Sequence, residues 1–220
     1  MLDCGCGTGQ VFLGLAPRFE EIVAIDPDSE MLAQARKLAE ARHVDHVRLL
    51  DMPAEQIGPE LGEFKLVTFG ASFHWTDRKR VAELAYDRLQ PGGGLVLIAG
   101  GGIWNGAQEW EKVVVATIKK WLGPERRAGG GTFEQGELHQ EVLKRTRFDS
   151  IRTFDVAAEY DWTMDDILGY LYSTSFSSKR VLGERVEAFE NDLRHALAPL
   201  SEGGTFKERI EFTAISARKT

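Results

Sequence analysis

The amino-acid sequence predicts an α/β fold, a doubly wound and mostly parallel sheet with helices on both faces. Two observations predict it. Short apolar runs alternate with amphipathic helical stretches through the first hundred residues, the pattern of strands buried on both sides between covering helices. A turn carrying Gly5, Gly7 and Gly9 stands directly between the first apolar run and the first helix, and glycines there allow positive φ while the helix start offers unpaired N–H groups to a ligand.

Each element follows from its local signals. Residues 1–3 form the stub of a strand that enters the glycine turn, and a helix follows over 8–18. Residues 21–26 are an apolar run ending in a carboxylate, and Asp28 or Ser29 caps a helix over 29–41. Strands are expected at 44–50 and 64–69, with breaks at Pro53 and Gly58-Pro59. Asp77 caps a helix reaching Leu89, Gln90-Pro91-Gly92-Gly93-Gly94 turns the chain, and 95–99 is a fifth, fully apolar strand.

Beyond Gly100-Gly101-Gly102 the sequence becomes helix-rich, with helices expected at 108–121 and 135–147 on either side of a Gly129-Gly130-Gly131 linker. This stretch reads as an insertion. A strand over 148–160, helices over 164–172 and 183–197, and a strand over 206–217 complete the chain, and the lack of a glycine turn motif between these strands predicts an antiparallel pair. The expectation is one domain, 1–220, with a first half at 1–100, a helical insertion at 101–147, and strands with cap helices at 148–220.

Composition bounds the function. With 43% hydrophobic and 28% charged residues the chain has the balance of a soluble globular protein, and no apolar run approaches the roughly 20 residues that span a bilayer. A net charge of -7 argues against nucleic acid as a partner, because polyanion binding needs clustered cations. The short basic runs Arg78-Lys79-Arg80 and Arg126-Arg127 read as solvated helix faces. The two cysteines, Cys4 and Cys6, sit too close for a disulfide framework and have no second pair to complete a zinc site, so no metal is expected. With no leader sequence, a cytoplasmic location is expected.

The residues around the turn discriminate between ligands. A dinucleotide site uses G-x-G-x-x-G, whereas here the third glycine, Gly9, comes one residue early. Asp3, immediately before the turn, repels a pyrophosphate but accepts from an ammonium group. Asp26, seventeen residues past Gly9 at the end of the second strand, is placed for the hydroxyls of a ribose.

The segment Leu2-Asp3-Cys4-Gly5-Cys6-Gly7-Thr8-Gly9 is similar to the first signature of class I S-adenosylmethionine-dependent methyltransferases, and Val23-Ala24-Ile25-Asp26 resembles the second. Later segments agree, in order and spacing, over about half the chain. Leu50-Asp51-Met52-Pro53-Ala54-Glu55 resembles the adenine-contacting loop, residues 64–71 the fourth strand with its active-site rim, and Leu89-Gln90-Pro91-Gly92-Gly93 the turn before the fifth strand. Ala71-Ser72-Phe73-His74-Trp75 followed by Asp77-Arg78 looks like the small-molecule branch, methyltransferase type 11, which includes trans-aconitate methyltransferase-like enzymes.

The resemblance implies a Rossmann-like, seven-stranded sheet with an antiparallel last strand, a helical cap, and S-adenosyl-L-methionine as cofactor. It implies methyl transfer to a small-molecule acceptor by a monomer or homodimer. It also implies a cofactor site made by Asp3, Gly5, Cys6, Gly7, Gly9, Asp26, Pro27, Met31, Asp51, Ala54, Glu55, Gly70 and Ala71, with Gly5, Gly7 and Gly70 against the methionine portion and Ala54 with Asp51 or Glu55 against adenine. His74, just beyond the fourth strand, is the candidate base; the alternative reading is a structural histidine beside Trp75. Trp75 is a candidate pocket wall, and Trp104, Trp110, Trp121, Tyr170 and Tyr172 are candidates for an acceptor pocket or plain core. Family members carry one or two helices and most of the first strand ahead of the turn, so the expectation is an N-terminally shortened domain. The competing expectations are a shortened domain impaired in catalysis and, further off, an NAD-dependent oxidoreductase.

Overall fold

A computed structural model describes residues 1–125, 127–128, 131–132, 137–174 and 176–220. The chain divides into two compact units, one of Met1–Gly100, Gly136–Val156 and Phe212–Thr220, the other of Gly101–Gln135 and Ala157–Glu211.

The first unit is built on strands β1 (Leu2–Cys4), β2 (Ile22–Asp26), β3 (Val47–Asp51), β4 (Phe64–Gly70) and β5 (Leu89–Gly100). Between them run α1 (Gln10–Leu15), α2 (Ser29–Ala41) and α3 (Arg78–Arg88). Two-residue strands β6 (Arg127–Ala128) and β7 (Gly131–Thr132) pair antiparallel in the second unit, and α5 (His139–Leu143) returns to the first. Two long strands, β8 (Asp149–Thr163) and β9 (Thr205–Arg218), contribute residues to both units.

The seven-stranded sheet has the order β3-β2-β1-β4-β5-β9-β8. Strands β1 to β5 pair in parallel and β9 runs antiparallel to β5. The side-chain bonds Thr213 to Asp155 and, two residues past β9, Thr220 to Asp149 advance in opposite directions along the two chain segments, as in an antiparallel pair. Chain order reverses between β1 and β4, and in open α/β sheets ligands bind outside the carboxyl ends of the strands at that reversal.

Alternation along the buried strands supplies two cores. Leu2, Cys4, Val23, Ile25, Val67 and Phe69 pack on one face with Val81, Ala82 and Ala85 of α3 and Leu143 of α5. On the other face Ile22 and Ala24 pack with Phe12 and Leu13 of α1 and Leu32, Ala35 and Ala39 of α2. Each fully buried Leu, Ile or Phe contributes about 1.5–3 kcal/mol, so this double covering holds even the three-residue β1 in place.

Several expected elements end elsewhere, for physical reasons. The first helix stops at Leu15 and continues as a single 3-10 turn, Ala16–Arg18, because Pro17 has no N–H for the α-helical ladder. The expected turn at 90–94 lies inside β5: register slips between the pairs Phe64 with Leu89 and Leu66 with Gly94. Gly92 donates to the Lys219 carbonyl and Lys219 back to the Gly93 carbonyl, so the bulged segment stays hydrogen-bonded beside β9. The helix expected over 135–147 is only His139–Leu143; Gln135, like Arg126 and Gly129-Gly130 of the expected basic run and linker, lies outside the described residues.

The second unit is helical. It contains α4 (Glu109–Leu122), α6 (Met164–Tyr172), α7 (Lys179–Leu182) and α8 (Val186–Leu197). Trp110, Val114 and Ile118 recur four residues apart on α4, as do Phe189, Leu193 and Leu197 on α8, and these stripes bury one core with Ile167, Leu168, Leu171 and Phe206. Among the described residues no helix is long and apolar enough to cross a membrane.

Candidate functional site

The parallel register brings the expected site residues to one edge of the sheet. Asp3 aligns with Ala24 and with Thr68, Cys4 with Ile25, and Asp26 with Asp51. The carboxyl ends of β1, β2, β3 and β4 therefore carry the glycine turn, Asp26, Asp51 and Gly70-Ala71 in one row.

The turn is held by backbone bonds and two buried acids. Gly5, Gly7 and Gly9 have φ of 62°, 54° and 97°. The Cys6 N–H donates to the Ile25 carbonyl at 3.1 Å and the Gly9 N–H to the Cys6 carbonyl at 2.9 Å. Asp26 Oδ2 accepts the Gly7 N–H at 2.8 Å and its Oδ1 accepts the Asp28 N–H at 2.9 Å. Asp3, 0% exposed, accepts from Phe12 N–H at 3.2 Å and from the Thr68 hydroxyl at 2.7 Å. Burial pushes the Asp3 carboxyl up to about 7, against the pull of its Thr68 and Phe12 donors. It raises Asp26 as well, opposed by the Asp28 and Gly7 amides. The buried thiols of Cys4 and Cys6 are pushed up for the same reason, so both stay protonated.

Sterics dictate two of the glycines differently. A Cβ on Gly5 would lie 2.5 Å from Ser72 Cβ, whose hydroxyl donates to the Cys4 carbonyl at 2.6 Å. A Cβ on Gly7 would meet nothing within 4 Å. One glycine lets the β4 rim close on the turn, and the other faces open space beside Asp26.

The rest of the expected set surrounds this edge. Pro27 is exposed, and half-buried Met31 in the first turn of α2 donates its N–H to Asp28 Oδ1 at 3.2 Å. Asp51 is exposed, and Ala54 is buried on the 3-10 turn Ala54–Gln56. Glu55 turns toward the start of α3, where it accepts the Asp77 N–H at 2.9 Å. Ala71 holds φ of 52° and donates to the Ile98 carbonyl, a strained left-handed conformation for a residue with a Cβ. His74 is exposed on the 3-10 turn Phe73–Trp75, its ring 4.4 Å from that of Trp75, which is 49% exposed.

The aromatic residues of the second unit are engaged mainly in its own core. Trp110 donates to the Lys207 carbonyl, Trp121 to Asp192, and the Tyr172 hydroxyl to Glu190. Tyr170 packs edge-on against Trp162. Trp104 lines a groove of about 280 Å³ with Ile103, Gly106, Lys112 and Lys119.

Sequence reasoning passed over Thr68 and Ser72. The signal for Thr68 was a lone hydroxyl inside the apolar run 64–69; for Ser72, it was a small polar residue two positions past the strand end.

The residues at this edge fit a cationic amino-acid nucleoside. Asp26 and Asp51 stand together at the sheet's carboxyl edge, a Cβ on Gly7 would meet nothing within 4 Å, and the acidic lining opposes a pyrophosphate. A doubly wound sheet of this order, with a glycine turn at the chain reversal and an acid ending β2, is the fold that the resemblance to class I S-adenosylmethionine-dependent methyltransferases implies.

Residues 1–93 match the family described as "Methyltransferase domain". The probable S-adenosylmethionine-dependent methyltransferase CRG1 of Saccharomyces cerevisiae is 30% identical over 95 residues, 42% of this chain and 33% of its own length. The tRNA 5-carboxymethoxyuridine methyltransferase of Escherichia coli K12 is 30% identical over 101 residues, 44% of this chain and 39% of its own. The matched stretch thus spans between a third and two-fifths of these relatives. In fold, the YcgJ protein of Bacillus subtilis is similar with a TM-score of 0.58, covering 99% of this chain and 90% of that one at 16% identity. Residues 1–93 are thus similar to a methyltransferase domain, and the chain has the fold of solved methyltransferase structures.

Proposed function

We propose that the chain binds S-adenosyl-L-methionine at the Asp3–Gly9 turn and transfers its methyl group to a small-molecule acceptor. The observation that carries this reading is the row of Gly5, Gly7, Asp26 and Asp51 along one sheet edge at the chain reversal. Asp26 is the residue for the ribose hydroxyls, Gly5, Gly7 and Gly70 give backbone to the methionine portion, and Ala54 with Asp51 lines the adenine side. Asp3 faces inward, so its part is to hold the turn.

When bound, the sulfonium supplies an electrophilic methyl group. The protein's task is then to align donor and nucleophile and to exclude water. His74, exposed beyond β4, is the candidate to take a proton from an acceptor that carries one; an ionised acceptor needs none. The acidic lining supports a sulfonium cofactor over NAD, and the net charge of -7 supports a small acceptor over tRNA. Buried, unpaired thiols accord with a cytoplasmic location.

Calorimetric titration with S-adenosyl-L-methionine tests the cofactor reading. Saturable binding is expected in the wild type, and Asp26→Ala is expected to weaken it by about tenfold or more, the worth of a charge-assisted bond pair. Absence of heat at millimolar cofactor would overturn it. Transfer of labelled methyl into a metabolite extract, compared with a tRNA pool, tests the acceptor class.

A further inference from the structure

Register sets Thr68 beside Asp3 across the β1–β4 pair. The threonine is 1% exposed between the buried side chains Val67 and Phe69. Its hydroxyl lies 2.7 Å from Asp3 Oδ1 and 3.4 Å from the Leu2 carbonyl. One hydroxyl has one proton, and the shorter contact to the carboxylate takes it. The other Asp3 oxygen accepts the N–H of Phe12, the third residue of α1.

That helix begins after Gly9, which offers no side chain to cap it. Asp3 therefore caps α1 from the neighbouring strand, and Thr68 holds the capping group in place. Both carboxylate oxygens are engaged within the protein, and the glycine turn runs between the strand that carries Asp3 and the helix it caps.

We propose that Thr68 is a positioning residue for the cofactor turn: its hydroxyl fixes the Asp3 carboxylate on the first turn of α1 and so sets the turn's shape and charge for a cationic ligand. This inference rests on reading the turn as the S-adenosyl-L-methionine site. The charged group facing Asp3 is Asp26 of β2, and the neighbouring thiols, Cys4 and Cys6, are neutral. Burial and Asp26 both favour the protonated acid, so the Thr68 and Phe12 donors are what favour its ionised form. Removing the hydroxyl raises the pH at which Asp3 loses its proton, and a neutral Asp3 holds the helix start less firmly.

The test is calorimetric binding of S-adenosyl-L-homocysteine from pH 6 to 9 for the wild type, Thr68→Ser and Thr68→Val. Wild-type affinity is expected to fall as pH drops through about 7. Thr68→Val is expected to move that midpoint up by about one pH unit, with binding about fivefold weaker at pH 7, while Thr68→Ser follows the wild type. Uniform weakening at every pH, the result of lost packing alone, would overturn the proposal; so would an unmoved midpoint. If Thr68→Val fails to fold, Thr68→Ala serves in its place.

Should the wild type bind no S-adenosyl-L-homocysteine at any pH, the cofactor reading fails first. Thermal unfolding of the same ligand-free proteins then decides the role of Thr68. With Asp3 raised in the folded state, stability falls as pH climbs from the ordinary carboxylate range to about 7. Loss of the hydroxyl must extend that fall to higher pH, and an unchanged profile overturns the proposal.

Discussion

The glycines of the turn are not equivalent. Gly5 carries both a left-handed φ and a neighbour, Ser72, that occupies the place of a Cβ. Gly7 carries the φ alone, with open space around it. Gly5→Ala is therefore expected to lose about 2–4 kcal/mol of stability, backbone strain plus overpacking. Gly7→Ala should lose only about 1–2 kcal/mol, yet bind S-adenosyl-L-homocysteine poorly, because its new methyl group points where the ligand must lie. Urea unfolding and calorimetry separate the two effects, and wild-type affinity in Gly7→Ala would refute the placement of the ligand. At this scale the meeting of the glycine turn and Asp26 at one sheet edge was legible, since the strand-turn-helix pattern sets it. Thr68 and Ser72 were not, because a hydroxyl in a strand or loop gives no sign of which neighbour the register will bring to it. The inward turn of Asp3 was hidden for the same reason: its Thr68 partner is 65 residues away.

Elements were legible where local chemistry decides them. The span of α2 follows from Asp28, whose carboxylate accepts from the N–H groups of Glu30 and Met31. Because Asp28 also lies next to the acid that holds the glycine turn, its removal is expected to act on folding before binding. Asp28→Ala should cost about 1 kcal/mol, read as a lower denaturant midpoint with an unchanged slope, with affinity for S-adenosyl-L-homocysteine kept within about threefold, under 1 kcal/mol. A larger loss of affinity would mean that the cap also positions Asp26. The elements misread from sequence were set by tertiary contact. A Gln90-Pro91-Gly92-Gly93-Gly94 segment has every local mark of a turn, yet its Gly92 N–H and Gly93 carbonyl bond to Lys219 at the far end of the chain. The short α5 is likewise fixed by Val142 and Leu143, buried in the first unit, rather than by the longer helical pattern around it.

Across the whole molecule, hydropathy patterning foretold the doubly wound sheet and the change of character after Gly100, but not that two acids would be buried facing each other in the helical unit. Glu111 and Glu208 are 2% and 8% exposed and share a side-chain hydrogen bond. Glu111 accepts the Gln108 N–H that caps α4, and Glu208 accepts from the Trp162 indole. Burial and the adjacent Glu111 hold the Glu208 carboxyl well above its ordinary range. A carboxyl raised on folding stabilises below its unfolded value and loses that contribution as pH climbs through its folded one. Glu208 and Asp3 share this sign, whereas Glu137, Asp166 and Asp192 are lowered but lie near the surface, where pairing is worth little. The part of stability contributed by these raised carboxyls is therefore expected to fall from about pH 5 to pH 8, opposed by His139 and the Met1 amino group, both lowered by burial. Glu208→Gln keeps an acceptor for Trp162 and gives Glu111 a permanent donor. It should match the wild type at pH 5 and exceed it by about 1 kcal/mol at pH 8, the worth of a hydrogen bond kept rather than lost. Urea unfolding followed by tryptophan fluorescence measures both, and a difference between variant and wild type that does not grow from pH 5 to pH 8 would refute the raised Glu208 carboxyl.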